Sequence, residues 1–314
     1  MINETAFARC EGLKDLTIGK SVTIIGIEAF WICTNLSGVA IPNSVTTLSA
    51  EAFSNCSSLK WATFPTNLKI LDNDAFASCK SLVSVELPNT ITTFGNDAFY
   101  GCTSLTKANI PNTITELKSG IFEFCSSLKE IIIPASVKTI GSRAFGECPS
   151  LTTISIPASV TKMDYGIFEY CTGLTSIYAN QTIPIDLSAS YYALVFNNVN
   201  KTVCKLYVPI GSKQLYSVAV EWKDFTNIID MPTDVPTLLD QIIRIYPNPV
   251  KDSFSVTGLN ETVRLILTDI NGKEVLTCQV GVGENIPVSS LPKGMYILRL
   301  ITSNGNLERK LIKE

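Results

Sequence analysis

The amino-acid sequence predicts a solenoid of stacked coils followed by a small all-β domain. Two observations predict the solenoid: a pattern of 23 residues repeats through the first part of the chain, and phenylalanine, leucine and cysteine each recur at that spacing. Internal periods of about 20–30 residues are typical of solenoids, in which each unit buries its apolar side against its neighbours. A third observation, a change to short alternating strands near residue 242, predicts the separate all-β domain.

Three columns of equivalent residues define the repeat. One full unit reads LTTISIPASVTKMDYGIFEYCTG, from Leu151 to Gly173. Because a nucleophile is normally needed only once, a cysteine that recurs in every unit is interpreted as part of a scaffold. The columns are Cys10, Cys33, Cys56, Cys79, Cys102, Cys125, Cys148 and Cys171; Phe7, Phe30, Phe53, Phe76, Phe99, Phe122, Phe145 and Phe168; and Leu13, Leu36, Leu59, Leu82, Leu105, Leu128, Leu151 and Leu174.

Each unit is predicted to contain a strand, a turn and a short helical segment. The alternation at Ile154 and Ile156 suits a strand with one buried face, and Pro157 ends that strand. The AF..C..L stretch that follows predicts a short α-helical or 3-10 turn. An acidic residue often precedes the alanine, and we interpret it as a charge that a helix N-terminus favours, with calcium binding as the alternative. These residues are Glu28, Glu51, Asp74 and Asp97.

The cysteine column is predicted to consist of free, buried and inert thiols. Cysteine is a small hydrophobe that packs well at a tight corner. Stacked coils place equivalent residues about 4.8 Å apart. Their Cβ atoms then lie beyond the roughly 3.5–4.5 Å that a disulfide prefers. Partial disulfides and a reactive exposed edge are the alternatives.

The composition excludes several classes of function. The 314 residues contain no histidine, which removes Ser-His-Asp and Cys-His catalysis and HExxH metal sites. A net charge of −3 leaves no basic surplus to neutralise nucleic-acid phosphates. The sequence contains no CxxC pair and no apolar run long enough to cross a bilayer. We therefore expect no cofactor, no metal, no nucleic-acid partner and no membrane span.

The repeat unit, in outline IPxSVTxIGxxAFxxCxSL, resembles the BspA-like leucine-rich repeat family, a bacterial branch with 23-residue repeats. The resemblance covers roughly residues 2 to 180, and we assign residues 1–180 to a solenoid of about eight repeats. It implies a leucine-rich-repeat solenoid with a parallel sheet along one face and short helical or 3-10 turns. It also implies a cell-surface or secreted protein that binds host proteins or other cells. The motif consists of core positions and carries no catalytic residue.

The solvent-facing positions of the predicted sheet are the candidate binding residues. Most residues in these two columns are small and polar, with a few aromatic or charged exceptions. We expect a shallow surface for a protein or glycan, the alternatives being a solvated face of a structural spacer protein or, using the charged residues, a polysaccharide-acting enzyme. The candidates are Asp15, Trp61, Glu86, Lys107, Glu130 and Tyr178.

The two ends of the repeat array differ. The chain opens in mid-repeat, so we expect that upstream residues precede it, with self-association through an uncapped end as the alternative. After Leu174 the pattern decays, and residues 181–230 are predicted to cap the array with a strand and an amphipathic helix near residues 212–222. Tyr216, Trp222 and Phe225 are the expected core of this cap. Residues 231–241 contain prolines without periodic core positions and are predicted to form a linker.

Residues 242–314 are predicted to form a small immunoglobulin-like β-sandwich. Short alternating strands occur at intervals, and Asn271-Gly272 separates two of them, which is a strong hairpin signal. The stretches YPNPVKD, DINGKEV, LPKGMYILRL and KLIKE resemble, in order and spacing, the type A C-terminal sorting domain of the type IX secretion system. The motif residues are Tyr246, Pro247, Asn248, Pro249, Gly272, Gly294, Tyr296 and Lys310.

The sorting resemblance implies a biological address rather than a ligand site. It implies export across the outer membrane of a Gram-negative bacterium by the type IX machinery, which is then a partner of the C-terminal domain. It also implies that the domain is cleaved and the cargo stays on the surface or is released. Cargo of this kind first crosses the inner membrane with a signal peptide, which this chain does not show.

Overall fold

The computed structural model describes residues 1–188, 194–231, 243–257, 259, 262–281, 284–302 and 305–314. The chain divides into two compact units, Met1–Met231 and Pro232–Glu314. The predicted linker falls almost entirely outside the described residues. The first unit consists of stacked coils, which confirms the predicted solenoid.

One ladder of parallel strands, divided into three hydrogen-bonded sheets, runs along the solenoid, and we call its outer surface the sheet face. Equivalent residues of successive repeats pair in register, as Gly38 does with Trp61. Ser176 then pairs with Lys205, and Lys205 with Asn227, so the ladder continues beyond the regular repeats. Its strands are Gly38–Ala40, Trp61–Thr63, Ser84–Val85, Lys107–Ala108, Thr153–Ile156, Ser176–Ala179, Lys205–Val208 and Asn227–Asp230.

A second ladder of shorter parallel strands follows the proline turn of each coil. Each of its strands has two residues, and the second of them points into the core. The strands are Ile24–Ile25, Thr47–Leu48, Ile70–Leu71, Thr93–Phe94, Glu116–Leu117, Thr139–Ile140 and Lys162–Met163. The two ladders form two sides of each coil. The AF..C..L segment forms the remaining side and closes the coil around the core residues.

The closing segment consists of successive turns rather than the expected helical turn. Alternate N–H groups bond to the next coil, as Phe53 N does to Ala75 O at 2.8 Å, and the others close local turns, as Ser54 N does to Glu51 O at 3.0 Å. A helix about 10 Å wide is too broad to stack on its neighbours at a coil spacing of about 4.8 Å. Its backbone groups would also bond within the helix and not to the next coil. We call the outer surface of these segments the turn face.

The acidic row therefore does not lie at helix N-termini. Glu28, Glu51, Asp74 and Asp97 each occupy a left-handed backbone position, with φ between 51° and 56°. Aspartate adopts this conformation more readily than most residues, and the equivalent positions of later coils include Gly120 and Gly166, with φ of 62° and 64°. The helix-dipole interpretation of the row is wrong, since the turn geometry selects the position.

The core of the solenoid is a continuous stack of phenylalanine rings. Phe99 is fully buried, and its ring lies parallel to those of Phe76 and Phe122 at centroid distances of 5.8 and 5.7 Å. The stack runs without interruption from Phe7 to Phe196. The ten cysteines are free; those of the column from position 33 onward are buried, whereas Cys10 in the first coil is exposed.

Large aromatic side chains of the last coils pack against the end of the phenylalanine stack. Tyr216, Trp222 and Phe225 are buried, and the rings of Trp222 and Phe225 pack edge-on against Phe196. The expected helix over residues 212–222 is shorter, an α-helix at Lys213–Tyr216 and a 3-10 turn at Trp222–Asp224. Among the described residues no helix has the length and apolar composition to cross a membrane.

Glu221 lies between this helix and the 3-10 turn and bonds to the preceding coil. Its backbone is left-handed, with φ of 66°, and its carboxylate accepts hydrogen bonds from the backbone N–H groups of Val195 and Phe196, at 3.1 and 3.2 Å. In the regular coils such N–H groups bond to backbone carbonyl oxygens of the next coil, as Phe168 N does to Val195 O at 2.9 Å. The carboxylate thus takes the place of the next coil's carbonyl oxygens.

The second unit contains two antiparallel sheets that enclose their own apolar core. Phe254, Leu265 and Leu298 are fully buried within it. One sheet has three described strands and the other has four, consistent with the predicted small sandwich. The strands are Arg244–Tyr246, Ser253–Thr257 and Asn285–Pro287, and then Glu274–Val280, Val263–Asp269, Gly294–Thr302 and Gly305–Lys313.

Candidate functional site

Five of the six candidate binding residues lie in, or directly beside, the paired segments of the sheet face, and Asp15 lies in the first coil, two residues before the bridge of Thr17 with Ala40. Five of them are exposed and Tyr178 is half-buried. They do not converge on one point. Ser176 lies five 23-residue repeats after Trp61 and two residues before Tyr178, which at about 4.8 Å per coil puts Trp61 and Tyr178 roughly 24 Å apart along the axis. The candidates form a long shallow surface rather than a pocket.

Trp61 is the largest exposed side chain on this face. Its indole lies directly over Gly38 of the preceding coil, where any Cβ atom would collide with the ring. The ring is nevertheless 50% exposed. Glycine at position 38 therefore lets the indole lie against the sheet with its other side toward solvent.

Lys107 and Glu130 are paired neighbours in the ladder, joined by a parallel bridge. Glu86 lies one coil earlier and two residues along the strand, and all three side chains are exposed. Within the described part of the chain none of them forms an ion pair closer than 4.0 Å. The predicted charge cluster is thus an open group of solvated charges on a flat surface.

Tyr207 is a sheet-face residue that the repeat pattern did not reveal. Its ring stacks on that of Tyr178 at a centroid distance of 4.6 Å and an interplanar angle of 8°. Burial, and secondarily the neighbouring Tyr207, raises the pKa of Tyr178. The coil between these tyrosines is 29 residues long, so a column projected at 23-residue spacing ends at Tyr178. The alternating stretch KLYV was the signal that could have extended it.

Asn109 lies in one of the solvent-facing columns but has a structural role. Its side-chain amide accepts from the N–H of Leu87 at 2.6 Å and donates to the carbonyl oxygen of Leu87 at 2.8 Å. The side chain thereby replaces a strand partner at this place in the ladder. Its hydrogen-bonding groups are taken up by the backbone rather than presented to a ligand.

The turn face carries a charge network that the column analysis did not identify. Arg143 lies between two carboxylates, 3.4 Å from Glu123 and 3.1 Å from Glu169, and its guanidinium lies over the ring of Tyr165. Burial raises the pKa of Glu123 even though Arg143 opposes the shift. Glu123 and Glu169 share one repeat column, two coils apart, so projecting all columns would have found the pair. Asn197 donates a hydrogen bond to the Glu169 carboxylate at 2.8 Å. The network therefore links side chains of successive coils.

The acidic row on the turn face has mutually repelling members. Burial raises the pKa of Asp74 to about 6, and the charges of Asp97 and Glu51 add to the shift. Burial likewise raises the pKa of Asp97. Within the residues that the structure describes, no three histidine, cysteine, aspartate or glutamate side chains are arranged to hold a metal ion.

In the second unit, the first and last sorting motifs are held together. The side-chain amide of Asn248 donates to the carbonyl oxygen of Lys310 at 2.8 Å and accepts from the N–H of Ile312 at 2.9 Å. Val250 N–H donates to the Ile312 carbonyl oxygen at 2.7 Å. Tyr246, two residues before Asn248, is 74% exposed. The YPNP stretch thus anchors the final strand and leaves its tyrosine on the surface.

The middle motifs form a hairpin and its neighbouring strand. The Asp269 carboxylate accepts from the N–H groups of Asn271 and Lys273, at 2.9 and 3.0 Å, and Gly272 adopts φ of 81°. This confirms the predicted hairpin at Asn271-Gly272. Tyr296 is buried, and its hydroxyl donates to the Pro292 carbonyl oxygen at 2.7 Å. These residues support the fold of the unit. Gly294 begins the strand that contains Tyr296.

Solved structures similar to this chain include leucine-rich repeat proteins of several bacteria. A T. pallidum leucine rich repeat protein is 33% identical, over 48% of this chain and 70% of that one, with a TM-score of 0.46. A leucine rich cell surface protein of Faecalibacterium prausnitzii A2-165 is 27% identical, over 56% and 62%, with a TM-score of 0.38. A leucine-rich repeat protein of Bacteroides ovatus ATCC 8483 is 23% identical, over 60% and 59%, with a TM-score of 0.38. The chain spans less than two thirds of the last two.

Two protein families account for most of the chain. Residues 1–126, 48–175 and 92–204 match the family described as BspA type leucine rich repeat region, and residues 244–314 match the secretion system C-terminal sorting domain. A search of curated proteins gave no match. The chain therefore belongs to the BspA-type leucine-rich repeat family and ends in a sorting domain of the type IX secretion system.

Proposed function

We propose that this protein is a non-catalytic binding or adhesion protein that presents its sheet face to a protein or glycan on host or neighbouring cells. The sorting domain indicates export to the cell surface or the extracellular space. Attachment at the outer leaflet of the outer membrane, after removal of a signal peptide, is part of the proposal. The type IX machinery is the partner of the second unit, through the sorting residues named above.

The observation that carries the proposal is that inward and outward residues alternate along each long strand. In the strand Thr153–Ile156 the two isoleucines are fully buried, while Thr153 and Ser155 face outward. The core positions hold the coils together, so the outward positions are free to vary without loss of fold. Trp61 occupies one of these outward positions and is half exposed. Surface aromatics of this kind are enriched in binding sites.

The exposure of the charged candidates supports a non-catalytic role. General acid–base chemistry and charge stabilisation are strongest in sites from which water is excluded. Glu86, Lys107 and Glu130 stand on an open surface, where solvent screens their charges. This arrangement suits polar contacts at the edge of a binding surface better than it suits a catalytic site.

Binding of the full chain to intact cells tests the proposal. The wild-type chain and two variants would be labelled and incubated with host epithelial cells and with other bacteria. A sheet-face variant combines Trp61→Ala, Lys107→Ser and Glu130→Ser. The control variant is Tyr170→Ala, which removes an aromatic ring of similar exposure, 43%, from the turn face. We expect the sheet-face variant to lose binding and the control to keep it.

The opposite pattern contradicts the proposal. Equal binding by the wild type and the sheet-face variant would exclude the sheet face as the contact surface. Absence of binding to every cell type would favour the structural spacer. Circular dichroism of each variant must match that of the wild type, so that loss of binding reports on the surface and not on the fold.

A further inference from the structure

The geometry of Trp61 suggests what kind of ligand the sheet face accepts. The indole rests over Gly38, which lacks the Cβ atom that would lift it away from the sheet, and half of its surface remains exposed. A broad ring fixed in this way offers a rigid apolar surface with little entropy to lose on binding. The C–H faces of a pyranose ring are flat, apolar surfaces of matching size.

A second aromatic group lies on the same face near the other end. Tyr178 and Tyr207 stack as a pair, and Ser155, the residue paired with Tyr178 on the preceding strand, is small. On the side of Tyr178 away from Tyr207, the paired residue is therefore small. About 24 Å separates this pair from Trp61 along the axis, a distance that only an extended ligand such as a polymer chain could bridge.

The surface between the two aromatic groups is polar with nearly balanced charge. Hydroxyl groups of Ser84, Thr153 and Ser176 face outward there. The exposed charges in the two solvent-facing columns between Trp61 and Tyr178 are Glu86, Lys107 and Glu130, a net charge of −1. A polyanionic glycan requires an excess of cations, which this face does not have. A protein partner anchors on clustered apolar side chains, whereas these aromatics stand apart.

We propose that the sheet face binds a linear, neutral polysaccharide, with one pyranose ring stacked on Trp61 and a more distant part of the same chain against the Tyr178–Tyr207 pair. This proposal rests on the proposed function and specifies its ligand class. The hydroxyl and carboxylate groups between the aromatics hydrogen-bond the sugar hydroxyls. Stacking on Trp61 supplies the apolar part of the affinity.

Affinity electrophoresis and calorimetry of the full chain with defined polysaccharides test this proposal. The probes are neutral linear glucans, mannans and xylans, with polygalacturonate and a sulfated glycan as polyanionic controls. We expect binding to at least one neutral polymer, with an affinity loss of roughly tenfold or more in Trp61→Ala. Gly38→Ala displaces the ring and should weaken binding as well, and the turn-face control Tyr170→Ala should bind like the wild type.

Failure of this inference is distinguishable from failure of the proposed function. The neutral-glycan assignment would be overturned if the chain bound none of the neutral polymers. It would also be overturned if the wild type and Trp61→Ala bound equally well, or if the chain preferred the polyanions. If cell binding still depended on the sheet face but was abolished by protease treatment of the cells and not by periodate, the ligand would be a protein. If cell binding did not depend on the sheet face, the proposed function itself would fail.

Discussion

The thiol of Cys79 donates a hydrogen bond to the backbone carbonyl oxygen of Phe53, 3.2 Å away and 26 residues earlier in the chain. The same bond recurs in the other coils from Cys33 to Cys171, with sulfur–oxygen distances of 3.0 to 3.2 Å. The column therefore uses cysteine both as a small apolar side chain and as a weak donor between coils. Alanine would lose the bond, and serine would bury a more polar group.

The first prediction concerns the reactivity of these thiols. Burial holds the pKa of Cys79 well above its usual value and raises the pKa of Cys102 to about 12. Because the thiolate is the reactive form, native protein should be labelled by iodoacetamide at Cys10 and partly at Cys278, which are the cysteines with solvent access. Denaturation should expose all ten. Mass spectrometry of labelled peptides makes the comparison, and rapid native labelling of Cys79 would contradict the assignment.

The second prediction separates core from surface. Phe99→Ala removes one ring from the middle of the phenylalanine stack and should lower the free energy of unfolding by about 3–5 kcal/mol. Trp61→Ala, on the sheet face, should change it by less than about 1 kcal/mol. Denaturant titration followed by circular dichroism measures both. The assignment of the faces would be wrong if the tryptophan variant unfolded and the phenylalanine variant did not.

The coils could be predicted from the sequence because the same core positions recur in each repeat. Eight copies of the Phe, Leu and Cys columns leave one periodic arrangement, in which every member from the second coil onward is buried. The turn segment was predicted less well, since AF..C..L spacing fits both a helical turn and the observed turns. Local spacing does not say where backbone N–H groups bond, and here half of them bond to the next coil.

The sheet face was predicted only where the period holds. Trp61, Lys107 and Tyr178 lie in the expected strands. Tyr207 and Lys205 were identified only from the strand pairing of the irregular 29-residue coil. The contact of Trp61 with Gly38 joins residues 23 positions apart whose identities are not repeated elsewhere in the column. Such contacts depend on the side chains of one particular pair of coils. A repeat pattern, which describes what all coils share, does not reveal them.

The third prediction concerns pH. The pKa of Asp74 in the folded chain, about 6, lies above that of an unfolded aspartate because of burial and the nearby Asp97 and Glu51. The stability that its protonated form provides is fully present below about pH 4. It is lost as the pH rises through about 6. The melting temperature should therefore fall between pH 5 and pH 8 more in the wild type than in Asp74→Asn.

The matched control for this prediction is Asp15→Asn, an exposed aspartate on the sheet face. It should follow the pH dependence of the wild type, whereas Asp74→Asn should be more stable than the wild type at pH 8. Thermal melts at intervals of half a pH unit resolve the difference. Identical pH curves for wild type and Asp74→Asn would show that the acidic row carries no strain at neutral pH.

The fourth prediction distinguishes structural from recognition residues in the YPNP motif. Asn248→Ala removes two hydrogen bonds to the last strand and should destabilise the second unit by about 1–2 kcal/mol. Tyr246 is 74% exposed, so Tyr246→Ala should leave the stability unchanged. If the tyrosine contacts the secretion machinery, only surface delivery falls in that variant. Denaturant titration and cell-surface labelling of both variants measure the two effects separately.

The last prediction concerns export. The sorting motifs lie at both ends of the second unit, and Asn248 joins the first of them to the last. We therefore expect recognition by the secretion machinery to require the folded unit rather than a short tail. In a host with the type IX system, and with a signal peptide added for entry into the periplasm, the full chain should reach the cell surface. A version that ends at Asp230 should remain in the periplasm, and so should a full-length chain in which Leu265→Asp and Leu298→Asp unfold the second unit. Protease accessibility on intact cells reports delivery. Surface delivery of the unfolded-unit variant would mean that the machinery reads a linear motif, and equal delivery of all three versions would remove the sorting role from the second unit altogether.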